Sequence, residues 1–281
     1  MKTKLIYRKP LGKQDRFIIS ASYKRTKDAR RSLEILRDMY VNLVNFNRVN
    51  NKEAASLASA CDEVAMLGAF KDAEIQQKFD YAVDRKSVVS IAKCKSVDAQ
   101  ASPEEVRMQV YTALVQGAKG IEYQGVCDGK MNRYIQELNY RLTQYGRTLM
   151  ALKNIGVYCA KDVVEKYPFF EKVAKPLSES KVLAEQELPN GLAIGEFEDC
   201  EGNLYLLIQN TNYAGKTTDG FVFALKKNFR VYRVNPHDGK QMISKESIDK
   251  QKILIVSGDA DFMRYQNVED EACYIEYALK K

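Results

Sequence analysis

The segment from Ser102 to Tyr158 constrains the fold of this 281-residue chain more than any other, because each of its structural boundaries carries a local signal. Ser102 is a favourable N-cap, Pro103 suits the first helical position, and Glu105 completes a capping box. Gly117 provides a left-handed exit from the helix. The next residues, 118–123, are too few for a helix and are flanked by glycines, so they predict a buried strand.

A second helix is predicted after this strand. Its apolar residues recur every three or four positions, as on the buried face of an amphipathic helix. They are Met131, Ile135, Leu138, Leu142, Tyr145, Leu149 and Leu152. A helix, a buried strand and a second helix in succession are typical of α/β folds.

Strands and helices alternate through the first half of the chain. Parallel strands are predicted at 17–23, 39–46, 63–67, 87–92 and 118–123, with a further β-prone run at 4–7. Helices are predicted at 27–37, 52–60 and 73–83. The pattern indicates a partial (β/α) barrel-like domain of about five strands over residues 1–175, and a flavodoxin-type open sheet is the structural alternative.

The remaining residues predict an all-β domain. Short β-prone runs separated by turn residues occur at 191–198, 204–209, 221–225, 229–235 and 253–256, and a last strand is expected at 274–279. These runs favour a C-terminal antiparallel β-sandwich over residues 176–281. Its core is expected to contain Tyr205, Tyr213, Phe221 and Phe223.

Two stretches of sequence resemble a known family. The run VRMQVYTALVQGAKGIEYQGV, with ELNYRLTQYGRTLMALKNIGVY behind it, is similar to the last βα unit of β-galactosidase-like bacterial glycoside hydrolases. In those TIM-barrel enzymes a β-sandwich follows, and GLAIGEFEDCEGNLYLLIQN resembles its first hairpin. The resemblance implies the C-terminal half of such an enzyme, with residues 17–23 as barrel strand four, strands one to three missing from this chain, and carbohydrate as its ligand.

The resemblance also says where catalytic carboxylates are expected. Retaining and inverting glycosidases use two carboxyl groups, which in these relatives follow strands four and seven. The corresponding segments here, SASYK at 20–24 and AKCKS at 92–96, contain no carboxylate. A glycoside-hydrolase-related protein with lost or incomplete catalysis is therefore predicted. The alternatives are an active glycosidase with relocated carboxylates (Glu122, Asp98 or Asp128) and a non-catalytic interaction or assembly protein.

The candidate site lies at the carboxyl ends of the predicted strands. Glu122 is the candidate catalytic residue, although an ion pair with Lys93 or Lys119 is an alternative role. Because side chains alternate along a strand, either Glu122 or Tyr123 faces the site, and the sequence leaves the choice open. The candidate substrate-binding residues are Asn45, Lys93, Lys95, Tyr123 and Gln124.

Composition and motifs limit the classes of ligand, cofactor and partner that are expected for this chain. Lysine and arginine number 44 against 37 acidic residues, a net charge of +7 that is too mild to indicate nucleic-acid binding. The six cysteines form no CxxC pair, and no phosphate-binding loop or metal motif occurs, so no cofactor and no metal are expected. No apolar run predicts a membrane span or a signal peptide, which favours a cytoplasmic protein, or a periplasmic or extracellular one if upstream sequence has been removed. A homo-oligomer, or a separate barrel half, is expected to cover the edges of an incomplete barrel.

Overall fold

The computed structural model describes residues 6–7, 17–22, 29–45, 68–70, 91–94, 102–123, 130–215 and 217–268. The chain forms two compact units, Met1–Ala113 with Ala118–Met150, and Leu114–Gly117 with Ala151–Lys281. The predicted helices at 52–60 and 73–83 and the predicted strand at 274–279 lie outside the described residues.

In the first unit the described residues contain strands and helices, and a helix follows β2, precedes β6 and follows β6, as the sequence predicts. Its strands are β1 (Ile6–Tyr7), β2 (Ile18–Ser22), β3 (Leu43–Asn45), β4 (Gly68–Phe70), β5 (Ile91–Cys94) and β6 (Gly120–Tyr123). Its helices are α1 (Ala29–Asp38), α2 (Pro103–Val115) and α3 (Lys130–Ala151), and the last two residues of α2 group with the second unit.

The sheet of this unit has the order β1-β4-β3-β2-β6-β5. Strands β2 to β6 are parallel, and β1 runs antiparallel to β4 at one edge. The placement of residues 17–23 as barrel strand four is wrong, because β2 pairs directly with β6, as the first and last strands of a closed barrel do. A flavodoxin-type order is also wrong, because β6 lies between β2 and β5. The described strands form an open sheet.

The local signals around α2 and α3 are confirmed. The N–H of Glu105 donates to Ser102 Oγ at 3.1 Å, and Gly117 has a φ of 88°. Helix α3 buries the predicted apolar face, including Ile135, Leu142 and Leu149. These helices therefore form where sequence periodicity and capping place them.

The second unit is built on antiparallel strands. They are β7 (Lys153–Cys159), β8 (Leu192–Glu198), β9 (Leu204–Asn210), β10 (Thr218–Val234), β11 (Gln241–Val256) and β12 (Ala260–Asn267). Between β7 and β8 lie α4 (Lys161–Lys166) and two short 3₁₀ helices, Pro168–Phe170 and Leu177–Glu179.

These six strands form one sheet, in the order β11-β10-β12-β9-β8-β7. The predicted hairpin of β8 and β9 is confirmed, with Glu198 opposite Leu204. The predicted strands at 221–225 and 229–235 are parts of the single strand β10, and neither β7 nor β12 is predicted by the sequence. The described residues of this unit therefore contain a single antiparallel sheet. The domain boundary that the sequence predicts between residues 175 and 176 falls within this unit, which includes Ala151–Lys281.

None of the helices in the described ranges combines the length and the apolar character needed to cross a lipid bilayer.

Candidate functional site

The two faces of the first sheet differ in what they contact. Tyr123 is buried and its hydroxyl donates to Asn139 Oδ1 of α3 at 2.7 Å. Asn139 Nδ2 in turn donates to the carbonyl of Met39 at 2.8 Å. Because successive residues of a strand point to opposite faces, Glu122 lies on the face away from α3.

Glu122 is the centre of a row of residues that crosses the sheet. It is fully buried, and its strand register places it directly beside Ser20 of β2 and Lys93 of β5. Ser20 is next to Leu43 of β3, so Asn45, two residues further along β3, holds a position on the same face. The row brings four chemically different residues to one face near the carboxyl ends of parallel strands.

Ser20 adds a second polar group to the centre of this row. Its hydroxyl is buried and has no hydrogen-bond partner among the described residues. A buried polar group without a partner costs free energy, and such groups are rare in native proteins. A ligand hydroxyl or a water molecule at this face would satisfy it. The sequence alone does not single out Ser20, because only the pairing of β2 with β6 places it beside Glu122.

Lys119 directly precedes β6, and its side chain contacts helix α3. Its ammonium group donates to the carbonyl of Leu149, close to the C-terminal end of α3. Burial lowers the pKa of Lys119 to about 8. This contact satisfies one of the carbonyl groups that a helix leaves open at its C-terminus.

The predicted site residues are thus distributed unequally. Glu122, Asn45 and Lys93 occupy one face of the sheet, and Tyr123 lies on the other. Lys95 and Gln124 lie outside the described residues, as do the alternative carboxylates Asp98 and Asp128. Among the described residues of the five parallel strands, Glu122 is the one carboxylate.

The second unit holds another buried carboxylate, Glu196 on β8. One oxygen accepts a hydrogen bond from Ser180 Oγ and the other accepts from the N–H of Lys181 at 2.8 Å. Burial raises the pKa of Glu196, and these hydrogen bonds oppose the shift. Because Ser180 Oγ also accepts from the N–H of Leu183 at 2.7 Å, the pair holds segment 180–183 against the sheet, which is a structural role.

Metal binding finds no support in the part of the chain that the structure describes. No group of three or more histidine, cysteine, aspartate or glutamate side chains comes together there. The single histidine, His237, lies in a turn, where its N–H donates to Asn235 Oδ1 at 2.9 Å.

Comparison with known proteins gives weak similarities only. No family model matches the chain, and no curated protein matches it. Several solved glycoside hydrolases resemble it in structure. A GH27 β-L-arabinopyranosidase from Geobacillus stearothermophilus shares 10% identity at a TM-score of 0.34, covering 89% of this chain and 50% of its own. A putative α-galactosidase from Bacteroides fragilis shares 6% identity at a TM-score of 0.33, and the match covers 89% of this chain and 47% of that protein.

A family 30 xylanase from Clostridium acetobutylicum is similar at 8% identity and a TM-score of 0.34, with 85% of this chain and 71% of its own covered. None of these three is a β-galactosidase. The chain spans about half the length of the first two structures. At such identities and scores the similarities do not assign the chain to a family.

Proposed function

We propose that this protein is related to glycoside hydrolases and binds carbohydrate at the Glu122 face of its parallel sheet, with an incomplete catalytic pair. The observation that carries the proposal is the pair of buried residues Ser20 and Glu122, with Lys93 at the adjacent register position, near the carboxyl ends of neighbouring parallel strands. Ligands of parallel α/β sheets bind at that end of the strands. The sequence resemblance around residues 106–126 supplies the ligand class.

The chemistry of the row suits a polyhydroxylated ligand. A carboxylate accepts hydrogen bonds from sugar hydroxyls, and the Ser20 hydroxyl both donates and accepts. Asn45 and Lys93 hold positions on the same face of the sheet. Lys95 and Gln124, which follow β5 and β6 in the sequence, are included in the proposed set from the sequence alone. Tyr123 lies on the opposite face, so its proposed role is positional: its contact with Asn139 fixes β6, and with it Glu122, against α3.

Hydrolysis by the usual mechanism needs a second carboxyl group near the first. The two carboxyl groups lie about 5 Å apart in glycosidases that retain the anomeric configuration, and about 6.5–9.5 Å apart in those that invert it. Glu122 supplies one such group, as a general acid or as the stabiliser of a developing positive charge. We therefore propose binding as the main activity. Turnover would require a partner carboxylate such as Asp98 or Asp128.

A panel of oligosaccharides tests the proposal, with binding and hydrolysis followed in the same samples. We expect at least one ligand to bind, and the substitution Glu122→Gln to weaken its affinity at least tenfold by removing a charged acceptor. Glu137→Gln is the matched control, because Glu137 lies on α3 of the same unit with its side chain 65% exposed. Absence of both binding and turnover across the panel would refute the proposal.

A further inference from the structure

On the second unit, one lysine lies over two tyrosine rings, and a phenylalanine ring lies beside one of them. Tyr167 and Phe169 follow α4, with ring centroids 5.8 Å apart, and Tyr213 follows β9. The ammonium nitrogen of Lys166 lies 5.3 Å from the ring centroid of Tyr167 and 5.5 Å from that of Tyr213. We call this group, Lys166, Tyr167, Phe169 and Tyr213, the Lys166 platform.

The platform lies at the surface. Phe169 is 39% exposed, and Tyr167 and Tyr213 are half-buried. The predicted core position is confirmed for Tyr205, Phe221 and Phe223, but it is wrong for Tyr213. Aromatic rings that combine an accessible face with a polar group are enriched where proteins bind partners.

Backbone contacts hold both segments of the platform. The N–H of Tyr167 donates to the carbonyl of Val163 at 2.9 Å, and Phe170 is fully buried beneath the adjacent turn. On the other segment, the N–H of Thr211 donates to the carbonyl of Gly191 at 2.8 Å, and that of Asn212 donates to Asn210 Oδ1 at 3.0 Å. A surface held in this way loses little conformational freedom on binding, which favours affinity.

We propose that the Lys166 platform is a second carbohydrate-binding surface, separate from the Glu122 face, and that it takes a pyranose bearing a carboxylate. The faces of aromatic rings are electron-rich, so they attract the polarised C–H groups on the flat side of a sugar ring. The Lys166 ammonium group provides a charge-assisted hydrogen bond to the carboxylate. The choice of carbohydrate as the ligand class rests on the proposed function. The platform residues themselves are identified from contacts that do not involve the Glu122 site.

Oligogalacturonate and its methyl ester test this proposal, because the ester keeps the sugar rings and removes their charge. Calorimetry should give measurable binding of the acid and at least tenfold weaker binding of the ester. Lys166→Ala and Tyr213→Ala should each weaken binding of the acid at least tenfold, and Lys166 is exposed, so its removal leaves the fold intact. Tyr232→Ala is the matched control, since Tyr232 lies 5.5 Å below the Arg264 guanidinium in the same unit, outside the platform.

A local measurement separates this proposal from the Glu122 site. Bound oligogalacturonate should protect Lys166 from acetylation, as followed by mass spectrometry, and Glu122→Gln should not change that protection. Binding that Glu122→Gln abolishes and Lys166→Ala leaves unaltered would overturn the platform while supporting the first site. The reverse result would support the platform alone. Equal affinity for the acid and the ester, or no binding of either, would overturn the proposal.

Discussion

At the scale of single residues, Gly146 shows how closely α3 approaches the start of the first β-sheet. A Cβ atom built on Gly146 would lie 2.8 Å from the Cβ of Phe17, and Gly146 is itself buried. Phe17 is 3% exposed and immediately precedes β2, so neither its Cβ nor its backbone can move aside cheaply. The glycine is therefore required by packing, although glycine is a poor helix former.

The substitution Gly146→Ala tests this requirement. Helix propensity alone would stabilise the variant by about 1 kcal/mol. Overpacking costs about 1–3 kcal/mol, so we expect a net loss of stability. Urea denaturation followed by circular dichroism measures the difference, and Arg147→Ala, at the exposed neighbouring position, should change stability by less than about 0.5 kcal/mol. A stabilised Gly146→Ala variant would show that α3 does not pack against Phe17 in this way.

At the scale of elements, the β8–β9 hairpin depends on the side chain of Asp199. Its Oδ1 accepts from the N–H groups of Glu201 at 3.0 Å and Asn203 at 2.9 Å, and its Oδ2 accepts from Asn203 Nδ2 at 2.8 Å. Partial burial raises the pKa of Asp199, but these hydrogen bonds outweigh it and hold the pKa below its ordinary value. Such a side chain replaces part of the backbone hydrogen bonding that a turn lacks.

We expect Asp199→Ala to destabilise the second unit by about 1–2 kcal/mol, because two N–H groups lose their acceptor. Asp199→Asn keeps an oxygen acceptor and should cost less. Because the pKa of Asp199 is lowered in the folded state, its contribution is present above its unfolded pKa and is lost as the pH falls through the folded pKa. Denaturation of the three proteins at pH 7 and pH 3 measures both effects, and an equal loss in Asp199→Ala and Asp199→Asn at pH 7 would contradict this role.

The elements that the sequence predicts correctly are those with local signals. The Ser102 cap, the apolar period of α3 and the turn after Glu198 each depend on residues close in the chain. Strand order is not local, and the pairing of β2 with β6 joins segments about 100 residues apart. The sequence therefore predicts Glu122 as a site residue but not its neighbour Ser20. Strand β12 is missed because Asp259 directly before it and Asp261 at its second position are more typical of a loop.

At the scale of the whole molecule, two partly buried groups give its two units opposite responses to alkaline pH. Burial lowers the pKa of Lys119, in the first unit, to about 8. Burial raises the pKa of Cys159, on β7 of the second unit, to about 12. Above pH 8 the unfolded chain retains the Lys119 proton that the folded chain has released, so the first unit gains stability as the pH rises towards 10.5. Above pH 9 the folded chain retains the Cys159 proton that the unfolded chain releases, so the second unit loses stability.

Urea denaturation from pH 7.5 to pH 10, in the wild type, Lys119→Met and Cys159→Ala, should resolve the two effects. Relative to Lys119→Met, the wild type should gain about 2–3 kcal/mol by pH 10. Relative to Cys159→Ala, it should lose about 1–2 kcal/mol over the same range. Taking differences between proteins cancels the titration of all other groups, which the three chains share. If the Lys119 difference is independent of pH, the ammonium group is not buried against Leu149. If the Cys159 difference is independent of pH, the thiol of β7 is open to water.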